Sequence, residues 1–162
     1  MTALDAGLLV LRLTVGGIYV LHGLRKLGWR NPDGFAGFRA SIARRGYRPP
    51  LAWALAAVGA EVGGGTLAIV GLLTPVAAAL LLAQSVTIVA LVRSRGFRVE
   101  AMGVEYPLVL GAAAVAVALA GPGAVSLDAL LGVAPDPLVV PALAAIGVAG
   151  PLVGLATRRP PA

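Results

Sequence analysis

The sequence contains no cysteine and a single histidine, His22. Without cysteine, the chain cannot form disulfides, exchange thiols, ligate an iron–sulfur cluster or attach haem covalently. One histidine excludes bis-histidine haem ligation within the chain and a histidine-rich metal site. We therefore expect no metal, haem or iron–sulfur cluster in this chain alone. Any redox chemistry needs a bound quinone, a flavin or a partner subunit.

Charged residues are also scarce, at 12% of 162 residues, whereas soluble domains carry roughly 25%. Hydrophobic residues make up 59%, and the mean hydropathy is +0.92. A soluble domain of this size could not bury so much apolar surface, so the composition predicts an integral membrane protein whose partner is the lipid bilayer. The net charge of +6 then indicates basic loops beside anionic headgroups, and no nucleic-acid partner is expected.

Five apolar segments have about the length that is needed to cross a bilayer. They cover residues 6–27, 51–73, 75–92, 104–120 and 138–156, and the last opens with Pro137 and Pro141. The predicted fold is an all-α, polytopic membrane helix bundle with a four-helix core and a fifth C-terminal transmembrane helix, in one membrane domain of residues 1–162. The first segment lacks the basic flank and cleavage site of a signal peptide, so we expect it to remain as a helix.

Basic residues alternate between the two sides of these segments. Apart from Arg12, they all lie in the first loop, the third loop and the C-terminal tail. The second loop has no basic residue, and the fourth has none but carries Asp128 and Asp136. The positive-inside rule predicts a multi-pass protein of a bacterial or archaeal cytoplasmic (inner) membrane, with the N-terminus outside and the C-terminus cytoplasmic. This alternation requires five spans.

The first loop contains a helical pattern over residues 34–45. Phe35, Phe38 and Ile42 fall on one face of such a helix, whereas Arg39 and Arg44 fall elsewhere. This pattern is typical of a short amphipathic helix that lies in the membrane interface.

Three ionisable residues interrupt the apolar segments: Arg12, His22 and Glu61. Each costs at least about 2.5 kcal/mol on insertion scales, so each must face the bundle interior or find a partner. Arg12 shares one helical face with Lys26 and with two glycines and a tyrosine: Gly16, Gly23 and Tyr19.

Glu61 is flanked by Gly59 and Gly63, a small-xxx-small pair that predicts close packing of the first two spans. A rise of about 1.5 Å per residue places Glu61 between Arg12 and His22 in depth. The sequence thus predicts an Arg12–Glu61 ion pair. It also predicts a second polar cluster at the cytoplasmic end, formed by Lys26, His22, Glu105 and Tyr106.

Each of these residues has a structural interpretation beside the functional one. An Arg–Glu pair can simply lock helix register, Lys26 can extend to the headgroups, and Tyr106 can belong to the interfacial aromatic belt. His22, within a span and one turn from a lysine, is a candidate donor to a quinone carbonyl or a proton relay.

The sequence resembles the DoxX family from about Leu8 to Leu131. The resemblance rests on the order and spacing of eight groups of residues: Leu11-Arg12-Leu13 with Gly16, His22-Gly23-Leu24-Arg25-Lys26-Leu27, Gly34-Phe35, Glu61-Val62-Gly63-Gly64-Gly65, Gly71-Leu72-Leu73-Thr74-Pro75, Glu105-Tyr106-Pro107-Leu108, Gly121-Pro122-Gly123 and Ser126-Leu127-Asp128. It implies a four-helix core and relatives that include the membrane subunit of thiosulfate:quinone oxidoreductase, other redox-linked membrane proteins and assembly factors. The fifth helix departs from that pattern, as does the lack of a histidine in the third loop.

Two functions remain open. The first is a membrane subunit of a quinone-linked oxidoreductase complex, in which quinone is bound by His22, Lys26 and Tyr106, and a buried charge network of Arg12, Glu61 and Glu105 supports the site. No catalytic residue is assigned. The second is a non-catalytic membrane scaffold or assembly partner. Both predict a protein partner subunit or a homo-oligomer, and a transporter is a weaker third interpretation because paired broken helices are absent.

Overall fold

The computed structural model describes residues 1–134 and 138–159, and the regular elements of those residues are all helical. Asp136 and Pro137 lie outside the described residues. The helices are α1 (Ala3–Leu27), α2 (Gly34–Arg44), α3 (Pro50–Val70), α4 (Thr74–Val92), α5 (Glu105–Ala120), α6 (Leu127–Leu130) and α7 (Val139–Ala156). The predicted all-α membrane helix bundle is confirmed.

Four of these helices are long and apolar enough to cross a membrane: α1, α3, α4 and α7. The fifth apolar helix, α5, is shorter at 16 residues. The chain is therefore a multi-pass membrane protein. Helix α1 begins earlier than predicted because Thr2 and Asp5 form a reciprocal capping box at its N-terminus.

The helices place the basic loops at one end of the bundle. The amide of Arg159 donates to the carbonyl of Gly46 at 2.9 Å, so the C-terminal tail meets the first loop. At the other end, the amide of Ala124 donates to Asp5 at 2.9 Å, so the α5–α6 loop meets the N-terminus. We call the end formed by residues 28–49, 93–104 and 157–159 the basic end.

Helices α1 and α3 approach closely through glycine. A Cβ atom on Gly16 would lie 2.6 Å from the Gly65 carbonyl oxygen, and a Cβ on Gly65 would lie 2.7 Å from the Gly16 oxygen. The predicted roles of Gly59 and Gly63 are wrong, since a Cβ on either would meet nothing within 4 Å. Both belong to a π-helical turn, which holds one more residue than an α turn and so changes which later residues face α1.

Replacing Gly16 by alanine is expected to lower the free energy of unfolding by about 1–3 kcal/mol, because the added methyl group forces two backbones apart. Gly17→Ala is the matched control, since a Cβ there would meet nothing within 4 Å. Denaturant titration in detergent micelles measures both. Equal stability of the two variants would contradict the close approach of α1 and α3.

Helix α7 packs against α4 and α3, again through glycine. A Cβ on Gly147 would lie 2.7 Å from the Ala79 carbonyl oxygen, and Gly154 contacts the ring of Trp53. The end of α7 also helps to cover α2. The apolar face of α2, predicted to lie in the interface, packs largely on protein: Ile42 is buried with Tyr47 and Ala54, and the cluster is covered by Phe35, Phe38, Trp53 and Leu155.

Candidate functional site

The carboxylate of Glu61 lies inside the bundle, in the π turn Gly59–Gly63 of α3. Its side chain is 1% exposed, and Lys26 of α1 donates to its Oε1 atom at 2.5 Å. Lys26 itself is 23% exposed and reaches toward the basic end. Because π turns are rare and occur often at functional sites, this pair is the first feature to consider.

The predicted ion pair between Arg12 and Glu61 is wrong. Gly23 packs against Glu61 and Val62, and Gly16 packs against Gly65, so α1 and α3 run antiparallel with Glu61 beside the last turns of α1. Eleven residues of α1 separate Arg12 from Gly23, which is about 16 Å along the axis. Glu61 therefore pairs with Lys26.

The second carboxylate oxygen of Glu61, Oε2, is buried and has no hydrogen-bond partner among the described residues. A buried acceptor without a partner costs about 1–3 kcal/mol, and more when it is charged. A proton on Oε2, or a donor from a bound molecule, would remove that cost.

The rings of His22 and Tyr106 lie side by side on the surface between α1 and α5. Their centroids are 6.2 Å apart with an angle of 39° between the planes. Both residues are exposed on the surface of the bundle. The Nδ1 atom of His22 lies 2.8 Å from the Ile18 carbonyl oxygen, which accepts only. We therefore assign the proton of the neutral ring to Nδ1, which leaves Nε2 as an acceptor.

A cavity of about 390 Å³ opens at the basic end between the last turn of α1 and α2. Lys26 lies on its wall, with its Nζ atom 4.7 Å from the centroid of the Phe38 ring. The wall carries the donors Arg25, Asn31, Ser41 and Arg44, together with the acceptor Nε2 of His22 and the carboxylate of Asp33. It suits a polar ligand with oxygens that accept from the cations.

Glu105 does not join Lys26 and His22, so this part of the predicted cluster is wrong. Its Oε2 atom accepts from the amide of Val99 at 2.9 Å, and its own amide donates to the Phe97 carbonyl. The chain between α4 and α5 folds back on itself, and Glu105 is used to hold that loop. Arg12, Glu61 and Glu105 therefore do not form the predicted charge network, because each lies at a separate site with its own partners.

At the opposite end, Asp128 fixes the start of α4. It is 1% exposed and accepts from the amides of Leu73 at 2.8 Å and Thr74 at 2.9 Å, and from the Thr74 hydroxyl at 2.7 Å. These bonds satisfy amides that a helix N-terminus leaves without partners. Leu73, at the N-cap with φ 48°, has no side chain able to do so. This role was not predicted from the sequence. The signal for it is that α4 begins with Thr-Pro after a leucine, which cannot cap the helix, so another segment must supply the cap.

Arg12 lies beside this acidic group and is also 1% exposed. Its Nη2 atom donates to the carbonyl of Val125, and its guanidinium packs against Gly71. The Nε and Nη1 atoms are buried without a partner among the described residues. The charge of Arg12 thus belongs to the end of the bundle that Asp128 holds together.

Comparison with known proteins adds one finding. The DoxX family model matches residues 7–94, more than half of the chain. The chain belongs to the DoxX family. The match spans α1 to α4, and so includes Lys26 and Glu61, whereas Tyr106, Asp128 and α7 lie beyond it. No curated protein and no solved structure matches the chain.

Proposed function

We propose that this DoxX protein is the membrane subunit of a redox complex and binds a quinone at the basic end. The headgroup would lie beside His22, Lys26 and Tyr106, with the isoprenoid tail in the bilayer. The observation that carries the proposal is the buried Oε2 of Glu61, which has no partner among the described residues, next to the ion pair with Lys26. Family membership and the exposure of His22 and Tyr106 support it.

The side chains present suit a quinone. A bound quinone would take up two electrons and two protons on its reduction to the quinol. Lys26 has three N–H donors, of which Glu61 uses one, and its charge stabilises negative charge on a nearby oxygen. The Nε2 atom of His22 can accept from a quinol O–H, and the Tyr106 hydroxyl can donate to a quinone carbonyl or accept from a quinol.

Glu61 is the residue that can hold a proton within the bundle. Its Oε1 atom is committed to Lys26, and its Oε2 atom is free to take a proton. Lys26 joins this carboxylate to the polar cavity at the basic end. Arg12 and Glu105 have structural roles in this proposal. Electrons come from a partner subunit, and the basic end faces the cytoplasm.

Quinone titration into nanodiscs that contain the purified protein tests the proposal. His22→Leu is expected to weaken binding of a short-tailed quinol, whose O–H can donate to Nε2, about tenfold, and Tyr106→Phe is expected to weaken binding of the quinone about tenfold, in each case the effect of one lost hydrogen bond. Tyr47→Phe is the matched control, because Tyr47 packs against Trp53, away from this site.

Unchanged quinol binding in His22→Leu, together with unchanged quinone binding in Tyr106→Phe, would contradict the residue assignment. A stable complex with another protein, purified without any quinone, would favour the scaffold function instead. Extraction of the copurified lipids and cofactors distinguishes these outcomes.

A further inference from the structure

A second cavity, of about 300 Å³, lies between α3, α4 and α7. Its walls include small side chains, among them Ala56, Ala57, Ala60 and Ala83, and Gly150 and Pro151 of α7 close one side. None of its lining residues belongs to α1 or α5, which carry His22 and Tyr106. It is therefore separate from the proposed quinone site, and α7 lies outside the DoxX match.

Tyr47 lines this cavity and has an unused donor. The residue is 4% exposed, and its hydroxyl oxygen is buried without a hydrogen-bond partner among the described residues. Its ring packs against Trp53, with centroids 5.3 Å apart. Burial raises the pKa of Tyr47, so the hydroxyl keeps its proton. Buried hydroxyls are normally hydrogen-bonded, so the Tyr47 hydroxyl is available to donate to an acceptor on a bound molecule or a water.

Positive charge surrounds Tyr47 at the basic end. The guanidinium carbon of Arg158 lies 5.5 Å from the centroid of the Tyr47 ring. Arg45 and Arg48 precede and follow the residue in the chain and are exposed. The bond between Arg159 and Gly46 fastens the C-terminal tail over this region. An apolar cavity thus lies beside a hydroxyl donor and a group of cations.

We propose that this cavity binds one anionic phospholipid. An acyl chain occupies the alanine-lined space, an ester carbonyl accepts from the Tyr47 hydroxyl, and the phosphate lies near Arg158 and Arg45. Basic pockets between membrane helices bind acidic lipid headgroups in this manner. Charge favours an anionic occupant, because a zwitterionic lipid would fill the apolar space but bring the cation of its headgroup near the arginines.

Quenching of Trp53 by brominated lipids tests the site directly. The protein has two tryptophans, Trp29 and Trp53, so Trp29→Phe leaves one reporter in the cavity wall. Brominated phosphatidylglycerol is expected to quench at an about fivefold lower mole fraction than brominated phosphatidylcholine, the effect of one basic residue near an anionic lipid. Arg158→Gln is expected to remove that preference, and Arg95→Gln, an exposed arginine at the same end, to keep it.

Two further pairs of variants separate specific binding from general lipid contact. Ala83→Leu fills the cavity and is expected to reduce quenching at low mole fraction, whereas Ala116→Leu, on an exposed face of α5, leaves it unchanged. Tyr47→Phe is expected to leave the lipid-free melting temperature unchanged or higher, and to reduce the rise that phosphatidylglycerol produces. Tyr106→Phe, which changes the proposed quinone site, is expected to keep that rise. The melting test therefore judges the lipid site independently of the quinone site.

Equal quenching by the two lipids, in the parent protein and in Arg158→Gln, would overturn the proposal. So would quenching that Ala83→Leu does not change. Displacement of the brominated lipid from Trp53 by a short-tailed quinone, but not by phosphatidylglycerol, would assign the cavity to quinone and overturn the lipid assignment.

Discussion

Lys26→Met is expected to lower the free energy of unfolding by about 3 kcal/mol, since it leaves the Glu61 carboxylate buried without the one partner that it has among the described residues. Methionine keeps much of the length of the lysine chain and removes the charge and the donors. The loss is therefore electrostatic rather than a packing loss. Denaturant titration in detergent micelles measures it.

Arg25→Met is the control for this variant. Arg25 is the preceding residue, exposed, and its side chain forms no ion pair with a described residue. Its replacement is expected to change stability by no more than about 0.5 kcal/mol. Comparable losses in the two variants would show that Glu61 does not depend on Lys26.

Asp128→Ala is expected to be at least as damaging, at about 3–5 kcal/mol. It removes the acceptor of two backbone amides and one hydroxyl at the start of α4, and it removes the negative charge beside buried Arg12. Hydrogen exchange is expected to rise first at Leu73 and Thr74, because their amides lose their partner. Unfolding titration and amide exchange measure the two effects.

Two comparisons make the Asp128 prediction specific. Thr74→Ala, which removes one of the three hydrogen bonds, is expected to cost about 1 kcal/mol. Glu100→Ala, an exposed acidic residue in the loop before α5, is expected to be neutral within about 0.5 kcal/mol. An Asp128→Ala protein as stable as Glu100→Ala would contradict the capping role.

The helices and the face of α1 could be predicted from the sequence because they depend on local periodicity. Hydropathy located the five apolar helices, and charge alternation agrees with the end to which the structure brings each loop. The spacing of Arg12, Gly16, Tyr19 and Gly23 identified one face of α1, and all four residues are buried. Periodicity of 3.6 residues is enough for such predictions.

The partner of Glu61 could not be predicted because it depends on the register between two helices. Depth calculated from helix ends placed Glu61 between Arg12 and His22, whereas the contact of Gly16 with Gly65 sets a register that brings Glu61 to Lys26. The π turn around Glu61 gave no signal in the sequence. The role of Asp128 was hidden for a related reason, as its partners lie 54 and 55 residues away in the chain.

The buried charged groups lie at two opposite ends of the bundle, and this separation affects where a ligand can bind. Arg12 and Asp128 hold one end of the bundle together, and their contacts are within the protein. Lys26 and Glu61 lie toward the other end, where one carboxylate oxygen lacks a partner among the described residues and a polar cavity reaches the lysine. Because this cavity reaches a buried ion pair, ligand chemistry is expected at the basic end.

A pair of double-mutant cycles tests this division of the charges most directly. The first combines Lys26→Met with Glu61→Gln, and the second combines Arg12→Met with Glu61→Gln. Coupling of about 1–3 kcal/mol is expected in the first cycle, and within about 0.5 kcal/mol of zero in the second. Strong coupling between Arg12 and Glu61, with none between Lys26 and Glu61, would contradict the division and remove the basis for a site at the basic end.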